Sequence, residues 1–248
     1  MDKQFKTEGI VIRRVNFDEA DQILTVLTRD YGKINCIAKG CRRMTSKFCG
    51  RVELAYQVEI ACFQGRNIDH LNEVDILDAR QLFDLDLKTK SILFYITEIT
   101  NKLIQDGQHV EGVYTLLLYT LDHLNHDQHK NEVILYAYLI KLLTMLGFMA
   151  PWDRCSRSNV KLDLSEPLYL SVGDSSVVRS GYATHLDTRL TTPLIKWINF
   201  MQKESFASII QVAPSKGEQA QVWQIIQSVL KNILNYPLKS EEFLYRVA

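Results

Sequence analysis

The sequence predicts an α+β protein, an N-terminal five-stranded barrel of the OB-fold type followed by an α-helical domain. Three observations carry this. Apolar residues alternate with period two up to Asp78, they recur every three or four residues after it, and turn-forming residues divide the first segment into short runs. Five antiparallel strands in some eighty residues make a small barrel, and the OB-fold is the commonest five-stranded candidate.

The strands are expected at about 8–15, 21–28, 33–39, 52–63 and 68–77. The fourth shows the pattern most clearly, with Leu54, Tyr56, Val58, Ile60 and Cys62 alternating with Ala55, Gln57, Glu59 and Ala61. Ile34, Cys36 and Ala38 alternate with Lys33, Asn35, Ile37 and Lys39 in the same way. Asp30-Tyr31-Gly32 and Gln64-Gly65-Arg66-Asn67 supply turns between runs. Beyond Asp78, Ile92, Ile96, Ile99 and Leu103 form one stripe of a helix. Leu135, Leu139, Leu142 and Leu146 form a second, and Val222, Ile226, Val229 and Ile233 a third. The division is therefore 1–79 for the barrel and 80–248 for the helices. Within the latter, Pro151, Pro167 and Gly173 interrupt the helical pattern, marking 151–181 as an insert with a hairpin around Leu168–Val178.

Composition is that of an ordinary globular protein, 46% hydrophobic and 23% charged. Met1 to Thr7 is polar and charged and does not read as a signal peptide. The apolar run from Val133 to Ala150 has Lys141 at its middle, which favours a buried helix over a membrane span. Cys36, Cys41, Cys49, Cys62 and Cys155 are odd in number and irregularly spaced, as expected of reduced thiols in a cytoplasmic protein.

The formal net charge is zero, but its distribution is uneven. Between Asp30 and Glu53 stand Lys33, Lys39, Arg42, Arg43, Lys47 and Arg51 with no acidic residue among them. A cationic patch on a neutral chain directs anions to one place rather than making the whole surface sticky. Glycines at 40 and 50 allow tight turns beside a ligand. Two readings of this segment stay open. Its cations can follow a phosphodiester backbone while Tyr31 or Phe48 stacks on bases, or it is a solvated loop with Phe48 tucked into the core.

Enzymatic signatures are absent: no Walker A loop, no G-x-S-x-G elbow, no H-E-x-x-H pair. His123, His126 and His129 could suggest a metal, but with Asn125, Asp127 and Gln128 they read as solvated residues between two helices. Asp18, Glu19 and Asp21 fit a solvated turn as well as any acid–base or metal role.

Several ordered blocks closely resemble the RecO family. Glu8-Gly9-Ile10-Val11-Ile12-Arg13-Arg14 is similar to its E-G-I-V-L-R, and Glu19-Ala20-Asp21-Gln22-Ile23-Leu24-Thr25 to its E-x-D-x-I-L-T. Tyr31-Gly32-Lys33-Ile34 matches x-G-K-x-x, and Ala38-Lys39-Gly40-Cys41-Arg42-Arg43 matches A-K-G-x-R-R. Phe48 to Glu53 continues the pattern, and Leu230 to Phe243 is similar to the family's closing helix. The likeness is strongest over 8–78 and weakest over 82–130.

The resemblance implies an N-terminal OB-fold, a central helical domain and, in many members, a four-cysteine zinc module. It implies binding of single- and double-stranded DNA, annealing of complementary strands, and help to RecR, with RecF in some pathways, in loading RecA onto strands coated by SSB. It also implies a cytoplasmic protein, nucleoid-associated during repair, with no membrane role, no cofactor and no catalysis. The alternative is a protein-interaction scaffold of the same pathway with weak intrinsic DNA binding.

With the matched blocks and the acid-free run together, the expected DNA track is Lys39, Arg42, Arg43, Lys47, Phe48 and Arg51, with Lys33, Arg13 and Arg14 nearby. For the acidic SSB C-terminal tail, which needs an apolar slot rimmed by cations, the expected residues are Lys130, Lys141, Arg154 and Arg157. One departure is plain. Gly147 to Cys155 matches the approach to the zinc module, but Cys155 is the single cysteine there, and Ser158 stands where the second would fall. The insert is therefore expected to fold without metal.

Overall fold

The computed structural model describes residues 4–79, 85–124, 130–171, 176–212, 214–234 and 236–247. By packing, the chain divides into two units, residues 1–128 with 238–248 and residues 129–237. The division drawn from periodicity, at 79/80, therefore does not coincide with the compact units: two helices after the barrel and the last helix of the chain group with it.

The first unit is built on a closed barrel of β1 (Gln4–Phe17), β2 (Asp21–Thr28), β3 (Gly32–Ala38), β4 (Gln57–Phe63) and β5 (Asp69–Asp78), in the order β1-β2-β3-β5-β4. β1 is long enough to serve two neighbours, pairing with β4 over 4–10 and with β2 over 9–17, and a bulge between Val11 and Arg13 bends it from one to the other. Closure uses one parallel contact, β3 with β5 at Cys36–Asp69 and Ile37–His70, where the sequence suggested an all-antiparallel set. A parallel pair requires a long crossover, and residues 39–68, which include β4, supply it. The inward face of the strands carries Val11, Leu24, Val26, Cys36, Val58, Ile60 and Cys62, all fully buried.

β4 begins at 57 rather than 52. Ala55 has a left-handed φ of 62°, which breaks the extended run, and Val52, Ala55 and Tyr56 instead fold over the barrel mouth. They are held there by Ala55 N–H donating to the Val11 carbonyl at 2.7 Å and Val11 N–H donating to the Tyr56 carbonyl at 3.1 Å.

Beside the barrel lie α1 (Leu87–Leu103), α2 (Val113–His123) and α7 (Lys239–Val247). The expected α1 stripe of Ile92, Ile96, Ile99 and Leu103 is buried. Asp86 caps its N-terminus. Glu98, on α1, holds the start of α7: its carboxylate accepts from the backbone N–H groups of Lys239 (3.2 Å) and Ser240 (2.8 Å) and from the Ser240 hydroxyl (2.6 Å).

The second unit contains α3 (Asn131–Met145), α4 (Thr192–Lys203), α5 (Phe206–Ile209) and α6 (Lys216–Ile233) with a small sheet of β6 (Leu168–Ser171), β7 (Ser176–Arg179) and β8 (Thr188–Arg189). The hairpin expected at Leu168–Val178 is β6–β7. α3 is buried nearly all round, as its continuous apolar sequence requires. Among the described residues no helix is long and apolar enough to cross a membrane. The insert packs Trp152, Cys155, Leu168, Val177 and Val178 inside, with Leu162, Leu164, Tyr169 and Leu170 half-buried. Val172, Gly173 and Asp174 lie outside the described residues.

Candidate nucleic-acid interface

The connection from β3 to β4 leaves the barrel at Lys39 and returns through Val52–Tyr56. Its path is a series of tight turns. Arg43 N–H donates to Gly40 O, Ser46 N–H to Arg43 O, Cys49 N–H to Ser46 O and Arg51 N–H to Phe48 O, at 2.9–3.1 Å. Gly40 and Gly50 take φ values of +65° and +70°, which explains glycine at both. The inward residues Cys41, Phe48 and Val52 enter the barrel core, so the loop is anchored at its start, middle and end.

A second set of bonds ties the loop to the β1–β2 turn. The Asp21 carboxylate accepts from Gly40 N–H (2.7 Å), the Ala20 carbonyl from Arg42 N–H (2.9 Å), and the Glu19 carbonyl from the Arg42 guanidinium (3.1 Å). The acidic turn that the sequence left open between solvation and chemistry is thus a clamp. Among the described residues no three His, Cys, Asp or Glu side chains converge as a metal site would require.

What the loop presents to solvent is cationic, although the clamp turn beside it exposes Asp18 and Glu19. Lys39, Arg42, Arg43, Lys47 and Arg51 are exposed, as is Arg13 on β1. Of these, among the described residues, only Arg51 has a carboxylate near it, Asp75 at 4.0 Å, both well solvated, a pair of little strength. The Lys47 ammonium lies 5.2 Å from the ring of its neighbour Phe48. Five cations on one rigid loop with no carboxylate inside it create a local positive potential that the chain's zero net charge conceals.

Three expected members of the track are placed otherwise. Lys33 points away from solvent, its side chain 8% exposed, with its ammonium 3.0 Å from Asp106 and donating to the Asn101 carbonyl at 2.8 Å. Its backbone binds the same segment, accepting from Gly107 N–H at 2.7 Å. Lys33 therefore fastens the α1–α2 connection to the barrel and cannot reach a phosphate. Phe48 is buried at the loop's base, because an aromatic ring gains more from the barrel core than from water, so it cannot stack on a base. Arg14 shares the inward face with Leu24 and Cys36 and pairs with Glu53 at 2.6 Å, half-buried. Tyr31, the other stacking candidate, packs its ring on Phe5 with centroids 4.7 Å apart.

Alternation in the sequence shows which residues are apolar, but not which way a loop turns. For Phe48 the signal was the glycine pair bracketing an apolar residue. For Lys33 there was none, because the groups that bury it, Asn101 and Asp106, lie some seventy residues away. Two exposed apolar side chains that the sequence did not single out, Phe17 and Met44, flank the loop.

In the second unit the four basic residues are not gathered as expected. Lys130 precedes α3 and Lys141 lies eleven residues on, roughly 16 Å along the helix axis. Lys141 is half-buried with its ammonium 3.4 Å from the Gln202 carbonyl, and burial lowers its pKa from the ordinary lysine value. Arg154 is exposed and donates to the Asn159 carbonyl at 3.1 Å, and Arg157 is exposed. An apolar slot of ≈ 350 Å³ exists elsewhere in this unit, lined by Pro193, Trp197, Phe200, Val212 and Pro214 with Lys196 and Glu218. His123, at the end of α2, bonds the Tyr119 carbonyl through Nδ1, and His126 and His129 lie outside the described residues.

The four-cysteine zinc module that the resemblance implied finds no matching ligand set among the described residues. Cys155 starts a tight turn, closed by Asn159 N–H donating to its carbonyl at 2.8 Å. Burial pushes its thiol up, but the nearby Ser158 side chain and the backbone N–H groups of Arg179, Ser158 and Arg157 outweigh this and hold it lower. One sulfur, one hydroxyl and backbone amides do not make a tetrahedral zinc site.

Two family models account for nearly the whole chain: the N-terminal region of recombination protein O matches residues 1–80 and its C-terminal region residues 84–242. A DNA repair protein RecO from a Thermoanaerobacter species is 26% identical over 243 residues, covering 96% of each chain. One from Symbiobacterium thermophilum is 34% identical over 151 residues, 61% of this chain and 60% of that one. One from Bifidobacterium longum subsp. infantis is 30% identical over 176 residues, 70% of this chain and 72% of that one. With a closed five-stranded barrel over the first match and helices over the second, the chain belongs to the RecO family of DNA repair proteins.

Proposed function

We propose that this protein binds single-stranded DNA along the 39–51 loop, brings complementary strands together, and catalyses no reaction itself. The observation that carries the reading is the loop: acid-free, rigidly tied at both faces, with Lys39, Arg42, Arg43 and Lys47 exposed and without carboxylate partners among the described residues. Arg13 and Arg51 extend it to six cations. Neutralised phosphates repel less, so two strands held at such a surface pair more readily. Double-stranded DNA offers the same phosphates and binds through the same cations.

In the cell, the reading places the protein in the cytoplasm, at the nucleoid during repair. It helps RecR, with RecF where that protein takes part, load RecA onto SSB-coated DNA, and the acidic SSB tail docks on the helical unit.

The test is a gel-shift of a single-stranded oligonucleotide across a salt series. Six phosphate contacts give a slope of log affinity against log salt of about −4, at about −0.7 per contact. Changing Arg42 and Arg43 together to glutamate should abolish binding and annealing while leaving the melting temperature in place. Binding unaltered by that double change excludes the loop as the site. Salt-insensitive or absent DNA binding with retained binding of partner proteins favours the scaffold reading instead.

A further inference from the structure

A cationic loop explains phosphate contact but not a preference for single strands, which differ from duplex in exposing base faces. Of the residues the sequence offered for base contact, Phe48 is buried in the core, and Tyr31, 46% exposed, packs on Phe5 at the β2–β3 turn, the end of β2 away from the loop. Two other apolar side chains occupy the right place. Strand register puts Arg14, Leu24 and Cys36 on the inward face, so Arg13, Val15 and Phe17 stand on the outward face of β1, where Val15 sits beside Ile23 and Ile37. Phe17 ends this row at the β1–β2 turn and is 46% exposed. Met44 projects from the loop and is 94% exposed.

Both lie within three residues of the Arg42–Ala20 hydrogen bond that joins turn and loop. They are therefore held at one end of the barrel, on backbone that cannot swing away. Single apolar side chains on a surface are commonplace. These two differ in their surroundings: Arg42, Arg43 and Lys47 flank Met44, and Phe17 ends the outward row that Arg13 begins, with the exposed Asp18 and Glu19 on its other side. A cationic rim repels most peptide partners that carry basic residues and attracts a polyanion. The ligand that combines a polyanionic backbone with flat apolar faces is an unpaired nucleic-acid strand. Aromatic rings stack on such faces, and methionine is among the residues that insert between bases.

We infer that Phe17 and Met44 contact the unpaired bases of a single DNA strand whose phosphates lie on Arg13 and the 39–51 loop. The inference rests on the DNA-binding reading above and adds the base-contacting residues to it. The strand crosses the outward face of β1 and β2 and turns over the loop apex, with a base on the Phe17 ring and the Met44 thioether against or between the following bases. Duplex DNA, whose bases are already stacked, gains nothing from either side chain.

The experiment compares two probes of equal charge, an oligothymidylate of about 20 nucleotides and an abasic strand of the same length, long enough to fill an OB-fold site. The parent protein should bind the thymidylate on the order of ten-fold more tightly or better. A Phe17→Ser, Met44→Ser double variant should lose that preference, bind both probes like the abasic strand, and keep the parent's salt slope and duplex affinity. Phe17→Trp should retain the preference, and its added fluorescence should be quenched by the thymidylate but not by the abasic strand. Both positions are exposed, so the melting temperature should hold. A parent with no preference for the thymidylate, or a double variant that keeps it, overturns the inference while leaving the phosphate track intact. Loss of salt-dependent binding in the parent removes the underlying reading instead.

Discussion

Lys33 separates a structural lysine from a DNA-binding one, and Lys33→Ala tests the separation. In the folded protein its ammonium caps the C-terminal end of α1 through the Asn101 carbonyl at 2.8 Å and lies 3.0 Å from Asp106. The carbonyl belongs to the last turn of the helix, where it has no partner within the helix and where a cation is also favoured by the dipole. A hydrogen bond from a charged group contributes about 1.5–3 kcal/mol, and the dipole adds about 0.5 kcal/mol. The Asp106 pair adds little, because that carboxylate is 65% exposed and solvent screens it. Against these stands the cost of burying an ammonium, so the net loss on truncation is about 2 kcal/mol. For a unit of this size that lowers the melting temperature by about 4–8 °C. The assay is a thermal and urea melt of the variant beside an anisotropy salt titration with single-stranded oligonucleotide. The melt should fall and the slope stay near −4, since no phosphate contact is removed. An unchanged melt with a slope shallower by about 0.7 refutes the reasoning and returns Lys33 to the track.

The barrel was readable because β-strands impose period two and its inward set is apolar at nearly every second position, Val58, Ile60 and Cys62 among them. Helical stripes such as Ile92, Ile96 and Ile99 were readable for the same reason at a different period. The cationic segment was readable as composition, since an acid-free run is visible in one dimension. Its three-dimensional sorting was not. Lys33 and Lys39 have the same chemistry and lie six residues apart, yet one is sealed under the α1–α2 connection and the other faces water. What decides between them is Asp106 and Asn101, some seventy residues away, a partner that no local pattern announces. Phe48 and Phe17 show the same limit for apolar residues. The buried one sits in a polar loop and the exposed one in a strand, the reverse of what each neighbourhood suggests. Nor does periodicity show that the last helix returns to the first unit, because that depends on contacts distant in sequence, Glu98 meeting two amides and Phe94 meeting Phe243.

That contact gives a direct expectation: Glu98→Ala leaves the α7 amides without their acceptor, weakens the helix's attachment by about 2 kcal/mol, and should speed amide exchange over 241–246 without changing DNA affinity. Unchanged exchange there would show that the apolar contacts of α7 alone hold it. Lys141→Met should raise stability at neutral pH. Burial lowers the folded lysine's pKa, so the unfolded chain binds more protons, and the parent gains stability as pH rises through the window below 10.5. The variant's advantage should therefore shrink as pH approaches that value, and an advantage that does not change with pH would assign it to packing. The same variant and Arg154→Ala, titrated with a labelled SSB tail peptide, test the placement of that partner, since affinities equal to the parent's exclude it. The last expectation concerns zinc. A structural site needs four ligands, and the turn at Cys155 offers one thiol with Ser158 and backbone amides near it. What holds the insert instead is visible. Trp152 is buried, and its backbone N–H donates to the Gln202 side-chain carbonyl at 2.9 Å. The same Gln202 amide donates to Thr144 and to the Ala150 carbonyl, both at 3.0 Å, and Lys203 pairs with Asp153 at 2.8 Å. β6 and β7 then bring Leu168, Val177 and Val178 onto Cys155's side of the unit as a small apolar core. If these contacts replace the metal, EDTA should leave the melting temperature unchanged, elemental analysis should find no stoichiometric zinc, and Gln202→Leu should lower the melt by several degrees, because it leaves one buried amide and two acceptors unpaired. A single zinc held per chain, or a marked fall in melting temperature on chelation, would show that the insert draws folding energy from metal after all.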